Sequence, residues 1–102
     1  MKKRQKVVQD EIAAVIDAME ADRRLTVWHL ALLAGIIVLA LRQGRTSEVK
    51  VSRSRLMALS HINTLPTYHK YFKDLQVIGY IYYRPSYHPL VRSEVDIRKQ
   101  PH

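Results

Sequence analysis

The side chains that could do chemistry in this chain are cations and hydrogen-bond donors, and they crowd into its second half. Residues 52–102 hold eight Lys and Arg against three Asp and Glu, together with four of the five histidines. Residues 1–26 carry six basic and five acidic side chains, and residues 27–51 carry three and one. The whole chain has 17 Lys and Arg against 9 Asp and Glu, a formal charge of +8 at pH 7. A field of that sign favours an anionic partner, either a nucleic acid or a membrane surface. Arg53, Arg55, Lys70, Lys73, Arg84 and Arg92 supply most of it.

Other chemistry is argued against by what is missing. There is no cysteine, so no thiol nucleophile, no disulfide framework and no Cys-containing zinc site; this fits a reducing cytoplasm. The histidines at 29, 61, 69, 88 and 102 do not fall in a metal-ligand spacing such as H-x-x-x-H. Three glycines, at 35, 44 and 79, make neither a dinucleotide fingerprint nor a Walker loop. Most acidic residues lie in the first 22 positions, interleaved with basic ones, as on a solvated helical face. Ser60, His61 and Asp74 have no spacing or context that supports a hydrolytic set. The expectation is a non-enzymatic protein without metal or cofactor.

The elements that must position the cations follow from local signals. Arg53–Leu59 reads as a short helix with Ser52 as N-cap and Val51 stapled to Leu56. Ser60-His61-Ile62-Asn63 is a turn. A second helix opens at Asn63 or Thr64, tolerates Pro66 in its first turn, and runs to about Ile78, where Gly79 suits a left-handed C-terminus. Tyr68, Phe72 and Leu75, with Ile78 or Gly79, mark its buried face. Two alternating runs follow, Tyr80–Arg84 and Glu94–Ile97. The long turn-rich loop between them carries Tyr87, His88 and Arg92, which suits a loop reaching along a phosphate backbone.

Upstream, residues 6–21 have Val8, Ile12, Val15, Ile16 and Met19 at helical spacing. That stripe serves either the chain's own core or a second copy. Thr26–Arg42 is the most apolar segment. Its 15-residue run from Val27 to Leu41 is short of the ~20 residues a membrane span needs. It therefore reads as the buried central helix, with Gly35 marking a close helix crossing. Gln43–Ser47 is a loop with a glycine stop, and Glu48–Val51 is a short strand able to join the later hairpin, with Val49 and Val51 inward.

Helix, turn, helix and β-hairpin over 51–97 resemble the winged helix-turn-helix superfamily of bacterial DNA-binding proteins. The residues that carry the likeness are LMALSHINTLPTYHKYFKDLQVIGYIYYRP, and with Leu25–Arg42 as first helix it covers 25–97. SRSRLMALSHI, TYHKYFKDLQ, GYI and RPSYHPL look like small winged-helix proteins of bacterial mobile elements and their hosts. The resemblance implies a mainly α fold with a small antiparallel β-wing (α+β), preceded by an N-terminal amphipathic helix. It divides the chain into 1–24, 25–97 and a tail, 98–102. It also implies a cytoplasmic, nucleoid-associated regulator of transcription that binds double-stranded DNA, with a homodimer expected. Positions matching Thr64, Thr67, His69, Lys70 and Lys73 would face DNA from the recognition helix, with Arg53 and Arg55 beside them. Those matching Arg84, Tyr87, His88 and Arg92 would meet phosphate or minor groove from the wing. Leu65-Pro66 departs from the pattern, because polar residues are usual there. The alternative is a winged-helix protein-interaction module in a replication or partition complex.

Overall fold

The computed structural model describes residues 2–98 and 101. Along them run α1 (Lys2–Ala21), α2 (Val27–Gln43), β1 (Val49–Val51), α3 (Arg53–Ser60), α4 (Leu65–Ile78), β2 (Ile81–Arg84) and β3 (Ser93–Ile97). The fold is mainly helical with a small antiparallel sheet in the order β1-β3-β2. Among the described residues, no helix is long and apolar enough to cross a membrane. Of the expected tail, only Arg98 and Pro101 are described; the rest lies outside the described residues.

α1 starts at Lys2, four residues before the sequence expectation, so the basic start is helical. Its stripe is not left for a partner. Val8, Ile12 and Val15 are buried in one core with Leu32, Leu33, Ile36, Leu56 and Leu75, and Met19 packs against it; Ile16 is exposed. The division at residue 24 therefore separates nothing in the core. Two polar contacts hold α1 in place. Thr46 Oγ1 donates to Glu11 Oε2 at 2.5 Å, and the Tyr80 hydroxyl donates to Asp22 Oδ2 at 2.9 Å. Asp22-Arg23-Arg24 is thus more than a polar link: Asp22 also takes two bonds from the Arg24 guanidinium, at 2.7 and 2.9 Å.

α2 begins with an unusual cap. The Thr26 backbone N–H donates to His29 Nδ1 at 2.8 Å, the place a glutamate holds in a common capping box. An Nδ1 that accepts leaves the proton on Nε2, which donates to Asp74 Oδ2 at 3.0 Å. The buried His29 so ties the start of α2 to α4. Gly35 admits α3: a Cβ there would stand 3.2 Å from Leu59 Cβ, the close crossing expected from the sequence. Gly44, at φ 68°, ends the helix.

β1 is one residue shorter than expected, because Glu48 is left-handed, at φ 55°, and turns its N–H onto Asp96 Oδ1 at 2.7 Å. Val49 and Val51 face the core as expected, and Val49 pairs with Val95. Ser52 caps α3 through the Arg55 N–H. His61 takes the left-handed position that closes α3, and Gly79, at φ 100°, closes α4. The turn at Gly79 drives Tyr80 inward before β2 begins. Tyr80 is fully buried and lies outside the strand alternation into which the sequence reading had placed it. Burial and the bond to Asp22 push its phenol up to about 12.

Asp22 is held well below the usual carboxylate range, first by the Arg24 side chain and also by the Tyr80 hydroxyl. A depressed folded-state value means that its stabilisation is present above the unfolded value and lost as pH falls through the folded one. Asp22→Asn should cost about 1–2 kcal/mol at neutral pH. In urea titrations at stepped pH, the gap to wild type should be constant above about pH 5 and close as pH falls below about 3.9. A gap unchanged at pH 3 would show that the Asp22 charge contributes nothing.

Candidate nucleic-acid interface

The start of α3 and the loop before β3 enclose an open groove lined by Arg53, Arg55 and Arg92, with Ser52, Ser54 and Ser93 between them. Ser52 fixes the first turn of α3, which sets where Arg53 and Arg55 leave the backbone. Tyr83 also lines the groove and packs edge-on against Phe72 of α4, with ring centres 4.9 Å apart. Tyr68 is buried there, its phenol pushed up to about 12 chiefly by burial, and the nearby Arg53 charge works against that rise.

On α4, Tyr68, Phe72 and Leu75 are buried, as expected. Lys70, Lys73 and Val77 then share the outer face with Pro66, by their three- and four-residue spacing. Lys70, Lys73 and His69 are exposed, and Val77 is 67% exposed. Thr64 is the N-cap, but its hydroxyl donates to Thr67 Oγ1 at 2.8 Å and caps no N–H. The first turn therefore shows two linked hydroxyls beside an exposed Leu65. Lys70 is placed by aromatic neighbours: its Nζ stands 5.2 Å above the Tyr71 ring, and Tyr71 stacks on Trp28 at 6.2 Å.

Arg84, expected from the sequence to meet a phosphate backbone, is engaged inside the hairpin. It pairs with both Asp96 oxygens at 2.7 Å and reaches Glu94 at 3.4 Å. The register explains this, since Arg84 lies opposite Glu94 and Tyr82 opposite Asp96. Lys50, opposite Glu94 on the other side, also pairs with it. Lys50 and then Arg84 lower Glu94, and Arg84 above all lowers Asp96. The outer sheet face is thus a closed ladder of opposite charges, and Arg84 is part of the hairpin's own bonding.

The loop between β2 and β3 is also more apolar than expected. His88-Pro89-Leu90-Val91 forms a β-turn, closed by the Val91 N–H donating to the His88 carbonyl at 3.1 Å. His88 Nδ1 accepts from the Leu90 N–H at 3.1 Å, so this histidine builds the turn. Tyr87 is 93% exposed and Leu90 88%. Pattern reading passed over Leu90, although an apolar residue in a proline turn was the available signal.

All three carboxylates of residues 52–102 are engaged internally: Asp74 with His29, Glu94 with Lys50 and Arg84, and Asp96 with Arg84. Among the described residues Arg53, Arg55, Lys70, Lys73 and Arg92 have no ion-pair partner. The described residues also hold no cluster of His, Asp and Glu able to bind a metal. No family model, no curated protein and no solved structure matches the chain.

Arg84→Met should leave Glu94 and Asp96 without their shared cation and loosen the hairpin. Amide hydrogen exchange at Ile81–Arg84 and Ser93–Ile97 should then speed up, with α2 unaffected. Unchanged exchange in the strands would free Arg84 for an outside partner.

Proposed function

We propose that this protein binds double-stranded DNA sequence-specifically through a winged helix-turn-helix and regulates transcription. The observation that carries the reading is the set of five cations that have no ion-pair partner among the described residues, on the first turn of α3, the exposed side of α4 and the loop before β3. The chain order supports it. A helix, a strand, two helices across a tight turn and a hairpin that takes the earlier strand as its third member are what a winged domain has. In this reading α4 enters the major groove and β2–β3 form the wing. Arg53, Arg55 and Arg92 anchor phosphates, for which a planar guanidinium fork is well shaped. Lys70, Lys73 and His69, with the hydroxyls of Thr64 and Thr67, read base edges. Arg84 is removed from the anchors, and the tip offers Tyr87 to the sugar-phosphate wall.

A second reading has an observation of its own. Leu65 and Val77 leave apolar surface on the exposed side of α4, and Leu90 does so at the wing, which suits a protein partner better than a phosphate backbone. Duplex affinity separates the two readings. Sites are selected from random duplexes, and each variant is titrated against the selected site, its point variants and random DNA at two salt concentrations. Lys70→Ala should relax preference at one or two base positions, by about 1–3 kcal/mol of discrimination. Arg92→Ala and Arg53→Ala should weaken all duplexes alike, each lowering the salt slope by about 1. No enriched site, together with no loss in any variant, would leave the protein-interaction reading in its place.

A further inference from the structure

The largest anomaly outside the basic surface is on α2. Val27 is 73% exposed and Leu41 51%; Leu30 and Ala34 are exposed between them, and Ala31 and Val38 are half-buried. By helical spacing these six form one unbroken stripe with no charge in it. We propose that this stripe is the seat of a second copy of the chain, docked antiparallel about a two-fold axis at Ala34.

The positions themselves argue for that occupant. Val27 and Leu41 lie seven residues either side of Ala34, and Leu30 and Val38 lie four either side. An isologous contact requires a surface to match itself after a half-turn. Such a turn at Ala34 sets Val27 against the second copy's Leu41, and Leu30 against its Val38. The smallest side chain stands at the crossing, where helices 8–10 Å apart leave least room. A parallel pair, or an unrelated helix, would need no such symmetry.

Charge agrees. The half-turn brings Arg42 of one copy to the α1–α2 link of the other, beside Glu20 in the last turn of α1. Arg42 and Glu20 are both exposed, and neither has an ion-pair partner among the described residues. Ile16 and Glu20 share the flank of α1 opposite the one where Glu11 and Ala18 meet Thr46 and Tyr80. The cations proposed to anchor and read DNA stand on α3, α4 and the wing, none of them on this stripe.

Area sets the strength. Two helices side by side, each ~10 Å wide over ~21 Å of length, cover roughly 200 Å² per copy. That is below the ~800 Å² per partner of a standard interface, so the dimer is reversible and not obligate.

The test needs no DNA, so its failure leaves the DNA-binding reading standing. The chain has no cysteine, and each introduced one is therefore unique. With a short bis-maleimide at about 1 mM protein, where a dimer with a Kd of that order is about half formed, Ala34→Cys should cross-link to itself. Val27→Cys and Leu41→Cys should each fail alone and cross-link when mixed. Ala34→Glu should sediment at 11.9 kDa with an unchanged melting temperature, where the wild-type mass climbs towards twice that as concentration rises. Glu20→Arg should weaken the wild-type dimer, and adding Arg42→Glu should restore it. Self-cross-linking of Val27→Cys and Leu41→Cys would overturn the antiparallel pairing. A wild-type monomer, alone or carried up with phosphatidylcholine vesicles in flotation, would overturn the second copy as occupant.

Discussion

Helix α2 is packed against α1, α3, α4 and β1, and the row it leaves exposed, from Val27 to Leu41, is itself apolar. From Val27 to Leu41 its only polar side chain is His29, and both ring nitrogens of that residue are bonded. A buried polar group is tolerated on those terms and costly on others. Because α3 and α4 both rest on α2, their separation is set there as much as by the turn between them. Gly35 lets α3 come close, and His29 fixes α4 through Asp74. The distance from the arginines of the groove to the lysines of α4 is therefore a property of α2, which carries none of these cations.

The charge of the second half becomes directional through pairing. Eight cations and three carboxylates could have been scattered, and the field would then be diffuse at a screening length of about 8 Å. Instead the hairpin gathers Glu94 and Asp96 with Lys50 and Arg84 on one sheet face, and Asp74 turns inward to His29. Among the described residues, what is left uncompensated lies at the start of α3, on α4, in the loop before β3 and, at Arg98, just after β3. Electrostatic attraction would thus act at the elements that can also recognise, which is where steering is useful.

Local chemistry made much of this legible in the sequence. Ser52, Gly44 and Gly79 announce helix ends, because capping and positive φ are demands that few residue types meet. The Val49 and Val51 alternation gave the extra strand, and the spacing of Tyr68, Phe72 and Leu75 gave the buried face of α4. What stayed hidden depends on partners distant in sequence. Nothing near Arg84 says that Asp96 and Glu94 will stand opposite, since register is decided by the whole hairpin. Nothing near His29 names Asp74, 45 residues away. The α1 stripe is ambiguous in the sequence because periodicity shows that a face is apolar and not what covers it. Tyr80 fits the strand pattern because alternation continues through it, whereas the turn at Gly79 assigns it to the core.

The cap of α2 and the side chain proposed to read bases belong to one stack. Lys70 stands over the Tyr71 ring, whose neighbours are Trp28 at 6.2 Å and, edge-on at 4.8 Å, His29. A lysine on a flexible stem loses rotamer freedom when it binds. Contact with an aromatic face removes part of that freedom in advance, at a modest gain of about 0.5–1 kcal/mol for an exposed cation. The ring that does this is held by Trp28 and His29, which also begin the helix on which α3 and α4 are mounted. Where the reader points is therefore coupled to where the scaffold starts. A side chain at the surface inherits its orientation from a buried histidine whose visible role is to cap a helix.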